Sequence, residues 1–258
     1  MMQTLAIQGR LDSLRASHAK TNPLLAHGYK VFSQNDEDGI IQEICRRLKL
    51  DADSTFLEIG VGDGSENNTL NLLVNGWRGI WLGGEPLAYT RLTDRLHFEQ
   101  CWITQQNVVN LIHRKMQATG IQALNLLSLD IDGNDWHIAK QILEGNIHPS
   151  IFVVEYNGTF DAHSKWVMPY NASHAWDGSA FFGASIASYQ NLFEKHGYFL
   201  AACNVIGINA FFVKNEFRTY FAELPSDWHE MYMPANYLPY PYFGHPVTKR
   251  LTGEMIGK

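Results

Sequence analysis

The chain has 258 residues, is 45% apolar and 18% charged, and carries a formal net charge of −6 at pH 7. This is the composition of a globular domain, and the negative balance excludes a broad nucleic-acid-binding surface. No apolar run is long enough to span a bilayer and no secretory pattern opens the chain; Cys45, Cys101 and Cys203 are scattered, with neither a disulfide frame nor zinc spacing, so a cytoplasmic protein with reduced thiols is expected.

Residues 1–28 read as an extension, with a helix over 2–19 whose apolar points Leu5, Ile7, Leu11 and Leu14 pack on the body or on a partner subunit. A homo-oligomer is compatible with this. Ser33-Gln34-Asn35-Asp36-Glu37-Asp38 opens the next helix, its acids suiting the positive end of the dipole. Strands and helices then alternate: strand 55–59, helix 66–75, strand 79–82, helix 87–96, a weak strand 101–104, helix 108–117, strand 123–131, helix 135–143 and strand 151–155. The strands are nearly continuous apolar runs, which points to a parallel sheet covered on both faces.

Helix 183–195 is followed by strands 198–203 and 208–213, joined only by Asn204-Val205-Ile206-Gly207, a connection so short that the two must pair antiparallel. The expected fold is therefore α/β: a doubly wound, mostly parallel seven-stranded sheet ending in an antiparallel hairpin. It forms a single domain over 1–258. Two stretches lie outside the scaffold: an aromatic, polar insertion at 158–182, of a length typical of lids, and a Pro- and Tyr-rich tail at 217–258.

The segment TFLEIGVGDGSENNTLNLLVNGWRGIWLGGEP, 55–86, has the chemistry of a nucleoside pocket. Glycines at 60, 62 and 64 let backbone approach a ligand closely, and Glu85 at the tip of the next strand is placed to accept hydrogen bonds from both ribose hydroxyls. The spacing is G-x-G-x-G, not the G-x-G-x-x-G of dinucleotide folds. Glu58 and Asp63 beside the turn would repel a pyrophosphate but suit a sulfonium and ribose. A nicotinamide-dependent oxidoreductase stays the competing reading, and a catalytically silent binding subunit is a third.

Asp130 and Asp132 lie two apart at a strand end and share a face. Carboxylates on an apolar strand are costly unless paired or bound to something. Capping of helix 135–143 explains Asn134 and Asp135 better than it explains Asp130. Glu155 and Asn157 end the neighbouring strand, and oxygen ligands at adjacent strand tips fit magnesium or another divalent cation better than zinc. Asp130 and Asp132, with His163 and His174 in the insertion, are the candidate catalytic residues; failing a metal, a carboxylate or an insertion histidine is the general base. Trp166, Tyr170, Trp176 and Phe181 either stack on a sugar face or pack the insertion.

Five segments, SQNDEDGII (33–41), FLEIGVGDGSENN (56–68), GIWLGGEP (79–86), LLSLDIDGNDWHI (126–138) and FVVEYN (152–157), together resemble class I S-adenosylmethionine-dependent methyltransferases, specifically the FkbM-like group and its relatives among sugar and natural-product O-methyltransferases. The resemblance implies that Glu58, Gly60, Gly62, Asp63, Gly64 and Asn68 belong to the first cofactor motif. It makes Glu85 the ribose-binding acid and brings Gln34, Glu37 and Asp130 to the cofactor. Macrocin O-methyltransferases hold magnesium with acids at the ends of the fourth and fifth strands, which here implies Asp132, Glu155 and Asn157, although the fifth strand reads Glu-Tyr-Asn in place of Asp-Asp. The implied activity is methyl transfer to a hydroxyl of a saccharide or glycosylated metabolite, with no nucleic-acid or membrane partner.

Overall fold

The computed structural model describes residues 2–89 and 92–236. Seven strands form one sheet: β1 Thr55–Ile59, β2 Arg78–Gly83, β3 Leu96–Gln100, β4 Leu126–Leu129, β5 Ile151–Glu155, β6 Tyr198–Cys203 and β7 Asn209–Lys214, in the order β3-β2-β1-β4-β5-β7-β6. Pairing is parallel from β3 through β5, and antiparallel where β7 inserts between β5 and β6. The expected α/β sheet with its terminal hairpin is therefore present. The reversal of strand order beside β1 opens a crevice above the carboxyl ends of β1 and β4.

Among the described residues six α-helices accompany the sheet: α1 Met2–His18, α2 Glu37–Leu48, α3 Leu70–Val74, α4 Val108–Thr119, α5 Asp135–Glu144 and α6 Ile186–Lys195. β1 and β5 are buried along their whole length, which explains their largely apolar sequences, interrupted by the buried acids Glu58 and Glu155. Phe193 of α6 stacks on Phe212 of β7 at 4.0 Å between ring centroids, joining the helical layer to the hairpin.

Four elements depart from expectation. Helix 87–96 does not form: no described residue between 84 and 95 is helical, and the chain returns to the sheet at Leu96, paired with Gly79. The strand expected at 101–104 is thus displaced to 96–100. β3 is an edge strand, exposed at His97 and Gln100, and its Glu99 bonds Arg114 and Lys115, so it carries no apolar run to betray it. Helix 66–75 shortens to α3, because the buried Glu58 carboxylate captures the amides of Asn68 and Thr69 and holds them out of the helix. Helix 183–195 begins only at Ile186; Ala184 instead bridges Val167, and Asn157 N–H bonds the Ala184 carbonyl.

The insertion forms a small apolar cluster of its own, Phe160, Met168, Ala180 and Phe181, with Trp166 stacked on Phe160 at 4.8 Å. Trp166 and Phe181 therefore pack the insertion. Chain beyond β7 continues in 3-10 turns at Asn215–Phe221 and Trp228–Met231 and meets the insertion where Ala235 N–H bonds the Gly158 carbonyl at 2.8 Å. The Leu238–Phe243 stretch lies outside the described residues.

Candidate active site

Asp38, the second residue of α2, accepts the main-chain N–H groups of Val31, Phe32 and Ser33 at 2.7 to 2.8 Å, which wraps the preceding loop around the helix start. Glu37 is fully buried and accepts from Asn35 N–H at 2.7 Å, Asn204 Nδ2 at 2.7 Å and Asn209 Nδ2 at 3.1 Å. It ties α2 to the β6–β7 hairpin. Gln34 beside it is exposed.

The glycine-rich turn follows β1. Gly60, Gly62 and Gly64 all have left-handed φ, at 94°, 52° and 83°. Gly64 faces inward, against Leu87, Trp81 and Tyr89. Asp63 is exposed and accepts from Ser65 N–H at 2.9 Å, which with the Ser65 hydroxyl lowers its pKa. Glu58 lies beneath the turn: besides Asn68 and Thr69 N–H it accepts the Thr69 hydroxyl, which itself accepts Trp81 Nε1–H at 2.9 Å. Burial pushes Glu58 up to about 7, against the pull of these bonds. Asn68 Nδ2 donates to the Ser128 hydroxyl at 3.0 Å.

Above this floor, Gly60, Gly62, Glu85, Asp130, Asp132 and His174 line one cavity of about 190 Å³, with Trp102 on the β3 side. Six of the residues singled out in the sequence thus meet in one place at the carboxyl ends of β1, β2 and β4. Glu85 is exposed there, and Trp102 is 54% exposed with its indole N–H anchored to the Ala172 carbonyl at 2.7 Å.

Oxygens of Asp130, Asp132 and Glu155 all lie within 4.8 Å of one another. Burial raises all three pKa values; for Asp130 and Glu155 the rise carries them well above the carboxylate range, with mutual repulsion adding to it, whereas His174 opposes the rise at Asp132. Glu155 Oε2 is buried without a hydrogen-bond partner. Three repelling carboxylates, one with an unmatched oxygen, fit a hard divalent cation with oxygen ligands. Asn157 stands apart from this role: its Nδ2 donates to the Ala180 and Phe182 carbonyls at 2.8 and 3.1 Å, and its Oδ1 accepts from Thr159, so its amide holds the insertion.

His163 is exposed, its ring tilted against that of His229 at 4.5 Å between centroids, whereas His174 is buried, with Nε2 3.2 Å from the Asp132 carbonyl. The insertion is fastened over the site by Asn134, which exchanges two hydrogen bonds with the Asn171 main chain, and by His137 Nε2 on the Met168 carbonyl at 2.7 Å. Sequence reasoning missed Trp102, Asp135 and Tyr189. Asp135 is buried within the acid cluster's field; Tyr189 is fully buried and its hydroxyl has no partner among the described residues. The run of acids at 130, 132 and 135 was a signal for Asp135; nothing local marks Tyr189.

No family model and no curated protein matches the chain. Solved structures of similar fold include the MycE methyltransferase from the mycinamycin biosynthetic pathway in complex with Mg, SAH and mycinamycin VI, at 14% identity over 79% of this chain and 54% of that one, with a TM-score of 0.46. CalO1, a methyltransferase in calicheamicin biosynthesis in its SAH-bound form, aligns at 15% identity over 68% of this chain and 54% of its own, TM-score 0.37. The fibrillarin/Nop5p complex aligns at 11% identity over 64% and 74%, TM-score 0.38. The chain spans about half the length of MycE and CalO1 (54% of each). Likenesses this distant carry no assignment of activity, and no helix among the described residues is long and apolar enough to cross a membrane.

Proposed function

We propose that the protein is an S-adenosylmethionine-dependent O-methyltransferase of the FkbM-like kind, moving a methyl group to a hydroxyl of a saccharide or glycosylated metabolite with a divalent cation in attendance. The observation that carries this reading is the single cavity in which the glycine turn, Glu85 and the Asp130–Asp132 pair meet at the switch point of the sheet. When bound, the cofactor would supply an electrophilic methyl on a sulfonium, and the cation would lower the pKa of the acceptor hydroxyl.

The chain's own residues divide the remaining work. Gly62 has no atom within 4 Å of where a side chain would begin, so its backbone is open to the methionine end of the cofactor. Glu85 would accept the ribose hydroxyls. Asp130, Asp132 and Glu155 would hold the cation, and the insertion would exclude water above it. His174 is the proposed base: with Nε2–H donated to the Asp132 carbonyl, Nδ1 is the free acceptor. With the cofactor bound, His174 Nδ1 would take the proton of the acceptor hydroxyl as that oxygen is methylated. Alignment of these partners supplies most of the rate.

Titration calorimetry with S-adenosylhomocysteine, NADH and NADPH tests the assignment. Binding of the homocysteine alone is expected; tight dinucleotide binding without it would replace the reading with an oxidoreductase.

A further inference from the structure

Resting on the cation-assisted reading above, we infer that Asp135 is a positioning residue that fixes the backbone at Asp132 so that its carboxylate meets those of Asp130 and Glu155. Asp135 is fully buried, and its two oxygens are both spent: Oδ1 accepts Ile131 N–H at 2.7 Å and Oδ2 accepts Gly133 N–H at 2.8 Å. These two amides flank Asp132 on either side. An acid in the first turn of a helix ordinarily serves the helix's own free amides; this one reaches backward instead, into the turn that leaves β4.

A second, independent observation concerns Asp132 itself. Its φ is 52°, in the left-handed region, where a side chain is disfavoured. The other described non-glycine residues there, Lys49 and Asn146, lie just past the ends of α2 and α5, where that conformation is routine. Asp132 ends no helix. A strained conformation persists where its surroundings enforce it, and such residues cluster at functional sites. Here the enforcing contacts are Asp135 from below, His174 on the Asp132 carbonyl, and Gly183 N–H on the Gly133 carbonyl at 2.9 Å. The oxygens that converge on one another are those of Asp130, Asp132 and Glu155, whereas both oxygens of Asp135 bond main chain, so Asp135 acts through Asp132.

The test is Mn2+ affinity measured by electron paramagnetic resonance on the full chain, alongside calorimetric binding of S-adenosylhomocysteine and thermal melts. Asp135→Asn turns one acceptor into a donor facing an N–H. It is expected to weaken Mn2+ binding roughly 10- to 100-fold, the range seen when groups that orient metal ligands are removed, while homocysteine affinity stays within about threefold. Asp135→Glu keeps both oxygens but shifts them by one methylene; it is expected to lose Mn2+ affinity as well and serves if the Asn variant does not fold. Asp132→Asn calibrates the loss of a direct ligand. Wild-type Mn2+ affinity in the Asp135 variants, with loss in Asp132→Asn, would overturn the positioning role and leave the cation reading standing. No Mn2+ binding by the wild type would overturn both.

Discussion

A Cβ atom at Gly60 would lie 1.5 Å from the main-chain oxygen of Asp130. β1 and β4 are neighbours in the sheet, and Asp130 N–H bonds the Ile59 carbonyl at 3.0 Å, so the two chains leave the sheet in contact just where the cavity begins. The closeness that draws Asp130 over the glycine turn leaves no room for any side chain at 60, whereas Gly62, two residues on, faces open space.

Substitution should separate these two glycines sharply. Gly60→Ala meets backbone, which cannot rotate away, and adds left-handed strain; a loss of more than about 4 kcal/mol and largely insoluble protein are expected. Gly62→Ala pays only the left-handed penalty, about 1–2 kcal/mol, and should fold while binding S-adenosylhomocysteine at least tenfold more weakly. Denaturant melts and calorimetry check both; equal stability of the two variants would remove the packing argument.

Thr69 is the joint between Glu58 and Trp81, donating to one and accepting from the other. Thr69→Val keeps the shape and deletes the hydroxyl, leaving a buried carboxylate short of a donor and a buried indole N–H short of an acceptor. A loss of about 2–4 kcal/mol is expected in urea, with little change in the m-value. A variant within 0.5 kcal/mol of wild type would mean that water replaces the hydroxyl at this site (about one RT of tolerance is the usual noise of such series).

Much of this was legible in the chain. Buried strands such as Leu126–Leu127 and Ile151–Val154 announce themselves because both faces are covered, and the four-residue link between Cys203 and Ile208 forces the hairpin. The edge strand Leu96–Gln100 escaped because its exposed positions and ion-paired Glu99 remove the apolar pattern. Gly60 and Gly62 of the glycine-rich turn, Glu85, Asp130 and Asp132 at strand ends, and His174 of the insertion were singled out in the sequence, and they line one cavity. Glu37 and Asn157 were read as ligand-facing because acids and amides at strand ends and helix starts look alike in sequence; their partners, Asn204, Asn209 and the carbonyls of Ala180 and Phe182, are distant along the chain. Tyr189 left no trace because its meaning is its burial.

Acid crowding makes cation binding and stability depend on pH in a defined direction. Unfolded carboxylates titrate near 4. Glu58 and Asp36 are pushed up to about 7 and Asp135 to about 6, chiefly by burial, and Asp130 and Glu155 are likewise raised by burial. Between pH 4 and 7 the folded state therefore holds protons that the unfolded state has released, so stability falls as pH rises through this window and levels off for each group above its folded pKa. A divalent cation must displace the protons of Asp130, Asp132 and Glu155, so its stabilising effect should grow with pH. Melting temperatures in EDTA should decline from pH 5.5 to 8, and the increase on adding Mg2+ or Mn2+ should be larger at pH 8. A cation effect independent of pH would argue against binding at the three carboxylates.

The centre of the insertion is held to the scaffold by several hydrogen bonds, and Asn134 makes two of them, donating through Nδ2 to the Asn171 carbonyl at 2.7 Å and accepting Asn171 N–H at 3.2 Å. Both ends of the insertion are anchored independently, by Asn157 and by the Val167–Ala184 bridge. Asn134→Ala should therefore loosen the middle without unfolding the ends. Faster hydrogen exchange and earlier proteolytic cleavage are expected around residues 169–176, at a cost to global stability of about 1–2 kcal/mol. On the proposed reading the cofactor binds toward Gly60–Gly62 and the acceptor beneath the insertion, so affinity for S-adenosylhomocysteine should be unchanged while KM for the acceptor rises more than kcat falls. The opposite pattern, weaker homocysteine binding with an unchanged acceptor KM, would mean that the insertion covers the donor and not the acceptor, and the direction in which methyl transfer crosses the cavity would have to be reversed.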